Sequence, residues 1–445
     1  MALVYGAMLA AAVGAFLLLR AYGEGRHPYR PAAAALGAGS PRADQLPHVL
    51  GALVAVILLG LVLGKLFARV GQPPVIGEVV AGILLGPSLL GHALSSAILP
   101  AAAAPGLGIL AQLGVILYMF LVGLDLNAEL VASRVHVAIA ASHASIVVPF
   151  LLGSCLALGL YPRLAGEGVP FTSFALFMGL AMSITAFPVL ARILSDVQLA
   201  GTRLGAIALS CAATDDVTAW CLLALVVSVA KSQGTAGLVV AVLALAYLAL
   251  VVFAVRPLAR RLSARWPASE PPRGAVALVY LALLTSALIT ESIGIHAIFG
   301  AFLLGAVIPH DSRLSREFKQ QLEPLVTIVL LPAFFALTGM RTEIALVRGR
   351  EWLITGVLVL VATVGKFGGT FAAARLTGLG GREAAALGIL MNTRGLMELV
   401  VLNIGLDLGV LSPALFAMMV VMALVTTLAT APILKGILRG LPVVP

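Results

Sequence analysis

The chain has 445 residues, 61% of them hydrophobic and only 11% charged, with a mean hydropathy of +1.10. Soluble globular proteins carry about 25% charge, so a soluble enzyme or scaffold is excluded and the chain reads as an integral membrane protein. The net charge of +9 does not call for nucleic acid, because the basic residues fall mostly in short loops between apolar segments rather than on one face or tail.

Taken in chain order, apolar runs predict helices over about 2-19, 48-69, 75-91, 106-125, 133-160, 170-195, 203-230, 236-258, 274-291, 294-309, 321-340, 352-377, 383-407 and 412-436. Runs of about 20 apolar residues cross a hydrocarbon core as helices, and strand-length alternation is missing, which sets aside a β-barrel. The predicted fold class is an all-α polytopic membrane protein with thirteen to fourteen transmembrane helices. Residues 1-19 have the length of a signal segment but no basic n-region, so they are read as a retained helix. With the loop that follows, rich in Pro, Gly and Arg, they form an additional segment over 1-47. The main transmembrane domain then occupies 48-438 and a short tail 439-445.

Lys65, Arg69, Arg192, Arg256, Arg260, Arg261, Lys319 and Lys435 fall on one side of this topology, the side of the carboxyl terminus. Positive residues favour cytoplasmic loops, so the carboxyl terminus is expected in the cytoplasm, with a bacterial inner (plasma) membrane as the location. Cys155, Cys211 and Cys221 lie inside apolar helices without metal-ligand spacing and read as packing residues. No cofactor is expected.

Two short motifs recur in the same order. Ala81 to Gly86 (AGILLG) resembles Gly300 to Gly305 (GAFLLG), and FLVGLD ending at Asp125 resembles ALTGMR ending at Arg341. An odd number of crossings separates the copies, so they run in opposite directions across the membrane. Inverted repeats of this kind characterise secondary transporters, which bind substrate at mid-membrane between discontinuous helices. Each half supplies one candidate break. Ser183 to Pro188 (SITAFP) contains Pro188, which removes a backbone donor, and Thr185, whose hydroxyl can satisfy freed groups. Asn392, Thr393 and Arg394 form a polar run within the last but one apolar segment. An ordinary proline kink is the alternative for Pro188 alone.

The deepest charges are Asp215 and Asp216, adjacent within Leu204 to Ala230. Carboxylates at that depth are costly and therefore point to function. Adjacent helical residues project about 100° apart, so the pair divides its roles. One can face a water-filled cavity and take a cation, while the other meets a basic group on another helix. A carboxylate that binds a proton or a metal cation, but not both, couples their movements. Lys366 is the leading partner, since a snorkelling lysine fits poorly at its depth. Arg394 and Glu398, four apart, form either a local ion pair or a compensation for broken-helix ends. Glu78 is a structural or entry-path residue, His143 a hydrogen-bonded core histidine, and Asp125 and Glu291 solvated charges near helix ends.

PPVIGEVVAGILLGPSLLG at 73-91, FLVGLDLN at 120-127, SITAFPVLARIL at 183-194, ATDDVTAW at 213-220, GKFGG at 365-369 and NTRGLMELVVLNIGLDLGVLS at 392-412 together resemble the monovalent cation:proton antiporters of the Kef and plant cation/H+ exchanger type. The resemblance covers about 48-438. It implies a core domain of six helices, about 106-230 and 321-407, with two crossed, broken members, moving against a dimerisation domain in a homodimer. It also implies that Asp216 is the main cation and proton carboxylate, that Asp215 pairs with Lys366, and that Thr185 and Asn392 to Arg394 mark the crossing. A double aspartate with a lysine resembles the electrogenic branch. The expected function is secondary antiport of Na+ or K+ for protons by alternating access, with monovalent cations, protons and lipid as partners. The cytosolic nucleotide-binding domain of many Kef proteins has no counterpart before Pro445. The alternative function is a passive cation channel, although no carbonyl filter run or acidic ring is apparent. An intramembrane aspartyl hydrolase would need both carboxylates on one reaction centre, and adjacent aspartates diverge.

Overall fold

A computed structural model describes residues 2-23, 45-100, 103-125, 135-199, 202-231, 236-265 and 272-438. Most of the predicted 20-47 loop and all of the 439-445 tail lie outside the described residues. The helices are α1 (Ala2–Gly23), α2 (Gln45–Arg69), α3 (Pro74–Leu85), α4 (Pro87–Ile98), α5 (Ala104–Asp125), α6 (Val135–Leu164), α7 (Phe171–Ser183), α8 (Phe187–Asp196), α9 (Arg203–Lys231) and α10 (Ala236–Leu250). They continue as α11 (Arg256–Ala264), α12 (Arg273–Ile293), α13 (Ala297–Val307), α14 (Arg313–Leu325), α15 (Leu331–Arg341), α16 (Arg350–Leu376), α17 (Gly381–Met391), α18 (Leu396–Asp407) and α19 (Pro413–Leu438). A π-helical turn at Val251–Val255 joins α10 to α11, and another at Val326–Leu330 joins α14 to α15, so each pair makes one span.

Each of the expected apolar segments is helical, but not all are spans of full length. Among the described residues ten helices are long and apolar enough to cross a membrane, or eleven with the bent pair α17–α18. The shorter apolar runs lie in α1, α3 and α13. Local backbone chemistry sets two of these limits. The expected helix over 75-91 stops at Leu85, because Gly86 is extended (φ −71°, ψ 169°) and Pro87 cannot continue the ladder. Pro87 then starts α4, a helix that the apolar pattern did not announce. α13 is held short by Gly294 in the left-handed region at the end of α12 and by extended Ile308 at its own end.

The helices pack in two groups. α6 to α9 and α16 to α19 form one, with α6 against α7, α9 and α16, and α19 against α16, α17 and α18. α2, α3, α5, α12, α13 and α15 form the other. The expected core over 106-230 and 321-407 therefore differs from the first group, because α5 and α15 pack with α3 and α13 while α19 joins the site helices.

The repeated motifs meet crosswise in the second group. Gly82 and Gly86 of the first copy lie against Phe335 and Gly339, and Gly305 of the second lies against Phe120 and Gly123. Exchanging the halves maps one contact onto the other, which is what two inverted copies would produce. These contacts need glycine for close approach: a Cβ at Gly339 would sit 2.0 Å from the Gly82 backbone carbonyl. Gly339→Ala is therefore expected to lower the melting temperature in detergent by several degrees, as overpacking typically costs about 1–3 kcal/mol. Gly356→Ala, where nothing lies within 4 Å, should leave it unchanged.

Candidate functional site

Both expected breaks are present. α7 ends at Ser183, Ile184 and Ala186 are extended, and α8 begins at Phe187 with Pro188 in its first turn. Pro188 is thus a helix-start residue and not a kink, a position where its missing N–H and fixed φ suit the backbone. The second break spans Asn392 to Gly395 between α17 and α18, which are bent by 42°. The two segments touch through the Ala186 N–H, which donates to the Thr393 carbonyl at 2.9 Å. A Cβ on Gly395 would lie 2.6 Å from the Val189 side chain, so glycine permits the crossing.

Broken helices leave carbonyls and amides without intrahelical partners in a medium that offers no water. Side chains supply those partners. Arg394, fully buried, donates from Nη1 to the Ala181 carbonyl at 2.7 Å and from Nη2 to the Met182 carbonyl at 2.8 Å, at the C-terminal end of α7. Its Nη1 also donates to Glu398 Oε2 at 2.8 Å. The two alternatives for this pair therefore hold together: it is a local ion pair and it caps the broken helix. Glu398 sits in the first turn of α18, where a carboxylate complements the helix dipole. Thr427 on α19 accepts from the Arg394 N–H at 3.0 Å and donates to the Arg394 carbonyl at 2.8 Å. Asn392 Nδ2 donates to Thr363 Oγ1 at 3.3 Å, and Thr393 Oγ1 donates to the Leu390 carbonyl at 2.6 Å.

Asp215 and Asp216, both buried, project from α9 into different surroundings. Asp215 Oδ1 accepts from Ser142 at 2.6 Å, while Oδ2 accepts from Ser145 at 2.6 Å, from Thr185 at 2.9 Å and from Lys366 at 3.2 Å. Lys366 also donates to Thr185 Oγ1 at 2.6 Å. The lysine reaches this depth because glycines flank it: Gly365 packs on Pro149 and Gly369 on the Ala144 carbonyl, bringing α16 close against α6. Asp216 has the opposite character. Its carboxylate faces the Phe187 amide at the start of α8, yet neither oxygen completes a hydrogen bond among the described residues. A buried carboxylate without donors is costly, and a proton or a cation is what would relieve it.

Glu78 is away from this cluster, on α3, where it lines a cavity of about 210 Å³ with Pro74, Tyr118, Ala186, Arg192 and Thr327. A second cavity of about 420 Å³ lies toward the other membrane face, lined in part by Gln112, Glu291, His296, Arg341, Asn403 and Asp407. Both run between the two helix groups, and neither has Asp215, Asp216 or Lys366 in its wall. The expected water-facing carboxylate is thus closed off in this structure, although Ala186 in the smaller cavity is next in the chain to Phe187. Asp125 and Glu291 are more than solvated charges. Asp125 pairs with Lys319, and Glu291 accepts from the Ala297 N–H at 2.8 Å, capping α13.

A family model for the transmembrane part of sodium/hydrogen exchangers matches residues 51–439. The chain belongs to that family. It is 43% identical over 399 residues to the Na+/H+ antiporter NhaS4 of Synechocystis sp., covering 87% of this chain and 97% of that protein. It is 39% identical over 407 residues to cation/H+ antiporter 19 of Arabidopsis thaliana, with 90% and 51% covered, and 34% identical over 380 residues to K+/H+ antiporter 1 of Saccharomyces cerevisiae, with 82% and 44% covered. This exchanger-family chain thus spans nearly all of the cyanobacterial relative and about half of the plant and yeast ones. The sodium proton antiporter MjNhaP1 from Methanocaldococcus jannaschii has the same fold, with a TM-score of 0.64 over 89% of this chain and 98% of that one, at 14% identity.

The structure brings together Asp215, Lys366 and Thr185, which the sequence had singled out, with Ser142 and Ser145, which it had not, and Thr427 at the second break was likewise unannounced. A serine or threonine in an apolar helix is common and often bonds its own helix, so nothing local distinguishes one aimed across at a carboxylate. The i,i+3 spacing of Ser142 and Ser145 on one helix face was the available signal.

Proposed function

We propose that this exchanger-family protein carries a monovalent cation, Na+ or K+, in exchange for protons, with Asp216 as the shared carboxylate and Asp215–Lys366 as the adjoining charge pair. The observation that carries this is a buried Asp216 neither of whose oxygens completes a hydrogen bond among the described residues, beside an Asp215 that accepts one hydrogen bond on Oδ1 and three on Oδ2. The relatives named as Na+/H+, K+/H+ and cation/H+ antiporters support the same chemistry. Thr185, Pro188, Asn392, Thr393 and Arg394 hold the crossing, Glu398 supports Arg394, and Glu78 lies on the path a cation would take from the cavity at that face.

Alternating access would move the group containing the crossing against the group containing α3, α5 and α15. The two meet through a limited set of polar contacts, among them Arg341–Asp407 at 2.8 Å and Asn403 Nδ2 to Thr338 Oγ1 at 2.9 Å. A cavity at each end of this seam, with Asp215 and Asp216 buried and in the wall of neither, fits a carrier whose site is closed to both sides. The proposed form is a homodimer in a bacterial inner membrane, its carboxyl terminus cytoplasmic.

Proteoliposome exchange under separate Na+, K+ and Li+ gradients tests this. Saturable proton flux, in the direction opposite to the cation, is the expected result, whereas unitary conductance without obligatory exchange would mean a channel. If exchange is electrogenic, an imposed potential of about 100 mV contributes about 2.3 kcal/mol per charge moved and changes the rate severalfold. Equal rates with and without voltage would make it electroneutral.

A further inference from the structure

Two cavities share Glu78. It lies on α3, one turn in from Pro74, and lines both the cavity of about 210 Å³ between the helix groups and a neighbouring cavity of about 140 Å³ bounded by Val56, Gly60 and Pro332. Thr327 is the other residue common to the two walls. The Glu78 carboxylate completes no hydrogen bond or ion pair among the described residues, and Arg192 lines the larger cavity without pairing with it. A carboxylate at this depth without a partner is costly.

Thr327 brings oxygens that its own helix does not use. It sits in the π-helical turn Val326–Leu330, which closes with the Leu331 N–H donating to the Val326 carbonyl. A helical donor to the Thr327 carbonyl would have to come from residue 331 or 332. The first is spent on Val326, and the second is Pro332, which has no N–H. The Thr327 hydroxyl gives its proton to the Glu323 carbonyl at 2.6 Å, so toward any further group it too can only accept. Irregular backbone at membrane depth is tolerated where it lines a cavity, and freed carbonyls beside a carboxylate are the ligands that hold alkali cations in discontinuous helices.

We propose that the Glu78 carboxylate and the Thr327 carbonyl bind a second monovalent cation, at a waiting site separate from Asp216. Tyr118, in the same wall, supplies a further hydroxyl oxygen. Ala186 and Pro188 line that cavity too and flank Phe187, whose amide faces Asp216, so the waiting site adjoins the crossing. Its part in transport rests on the proposed antiport reading, but its binding of a cation does not require Asp216.

The test is saturable binding of radioactive Na+ and Rb+ to purified protein at alkaline pH, with choline holding the ionic strength constant. Asp216→Asn protein, which lacks the main carboxylate, is expected to keep a saturable site, and adding Glu78→Gln should abolish it. Pro332→Ala in the Asp216→Asn background returns an N–H to the helix and should weaken the site by about three- to tenfold, the effect of engaging one ligand oxygen elsewhere. No saturable binding to Asp216→Asn protein, or binding that survives Glu78→Gln, would overturn the site, and an affinity unmoved by Pro332→Ala would remove the carbonyl from it and overturn it as drawn. Should Glu78→Gln not fold, Glu78→Asp, which keeps the charge but withdraws it by one methylene, must weaken binding, or the proposal fails. Wild-type proteoliposomes without cation–proton exchange would instead overturn the antiport reading and leave the binding result standing.

Discussion

Reconstituted Asp216→Asn protein is expected to show no cation-driven proton flux above that of empty liposomes. An amide has nearly the volume of the carboxylate but cannot take up a proton near neutral pH or balance a cation's charge, so it removes both ligands of the proposed exchange while leaving the packing intact. The site geometry adds a reason. Neither Asp216 oxygen completes a hydrogen bond among the described residues, and an asparagine Oδ1 can still face the Phe187 amide, so the protein should fold with undiminished yield. Asp216→Glu keeps the charge and should keep part of the activity. Retained flux in the asparagine variant would refute the assignment.

A pH dependence follows from the same competition, with its sign set by mass action. At low pH Asp216 carries a proton and cannot load a cation, so the apparent KM for the cation should rise about tenfold for each pH unit on the acid limb. At high pH the cation loads but protons become scarce, and the rate falls again. A bell-shaped profile is expected, and a KM indifferent to pH would separate proton from cation binding.

Arg394→Met is expected to have the largest effect on stability of any single change in the crossing. The guanidinium serves two carbonyls at the end of α7 and the Glu398 carboxylate, all in full burial. Truncating one partner of a buried pair leaves the other charge uncompensated, at about 3–5 kcal/mol, and here two backbone acceptors are orphaned as well. Purified Arg394→Met should therefore melt well below the native protein, by about 5–10 °C for a chain of this length. Adding Glu398→Leu removes the isolated carboxylate and should recover part of the loss, but not all, since the Ala181 and Met182 carbonyls stay bare. Full recovery in the double variant would mean that the guanidinium contributes nothing to capping α7.

Much of this was legible in the sequence because a bilayer simplifies the rules. In hydrocarbon every backbone group must be satisfied inside the protein, by helices or closed barrels, so apolar runs of about 20 residues without strand-length alternation decided that the chain is helical and crosses the membrane repeatedly. The same penalty makes a buried charge conspicuous, and Asp215, Asp216, Lys366, Arg394 and Glu398 stood out for that reason. The recurrence of AGILLG and GAFLLG pointed to two related halves before any geometry was known. Helix ends were less legible. Gly86–Pro87 and the turn at Gly294 shorten α3 and α13 through backbone conformation, which hydropathy averages away.

Other features belonged to the tertiary structure alone. The sequence determined that two adjacent carboxylates must differ, through the 100° step of the helix; only packing decided that Asp215 is the one wrapped by Ser142, Ser145, Thr185 and Lys366 and that Asp216 faces the Phe187 amide without completing a hydrogen bond among the described residues. Those partners lie 30 to 151 residues away along the chain. No local pattern records such a distance, because the aim of a hydroxyl or an ammonium depends on how closely two helices approach, and that closeness is set by glycines such as Gly365 and Gly369 meeting a surface on another helix.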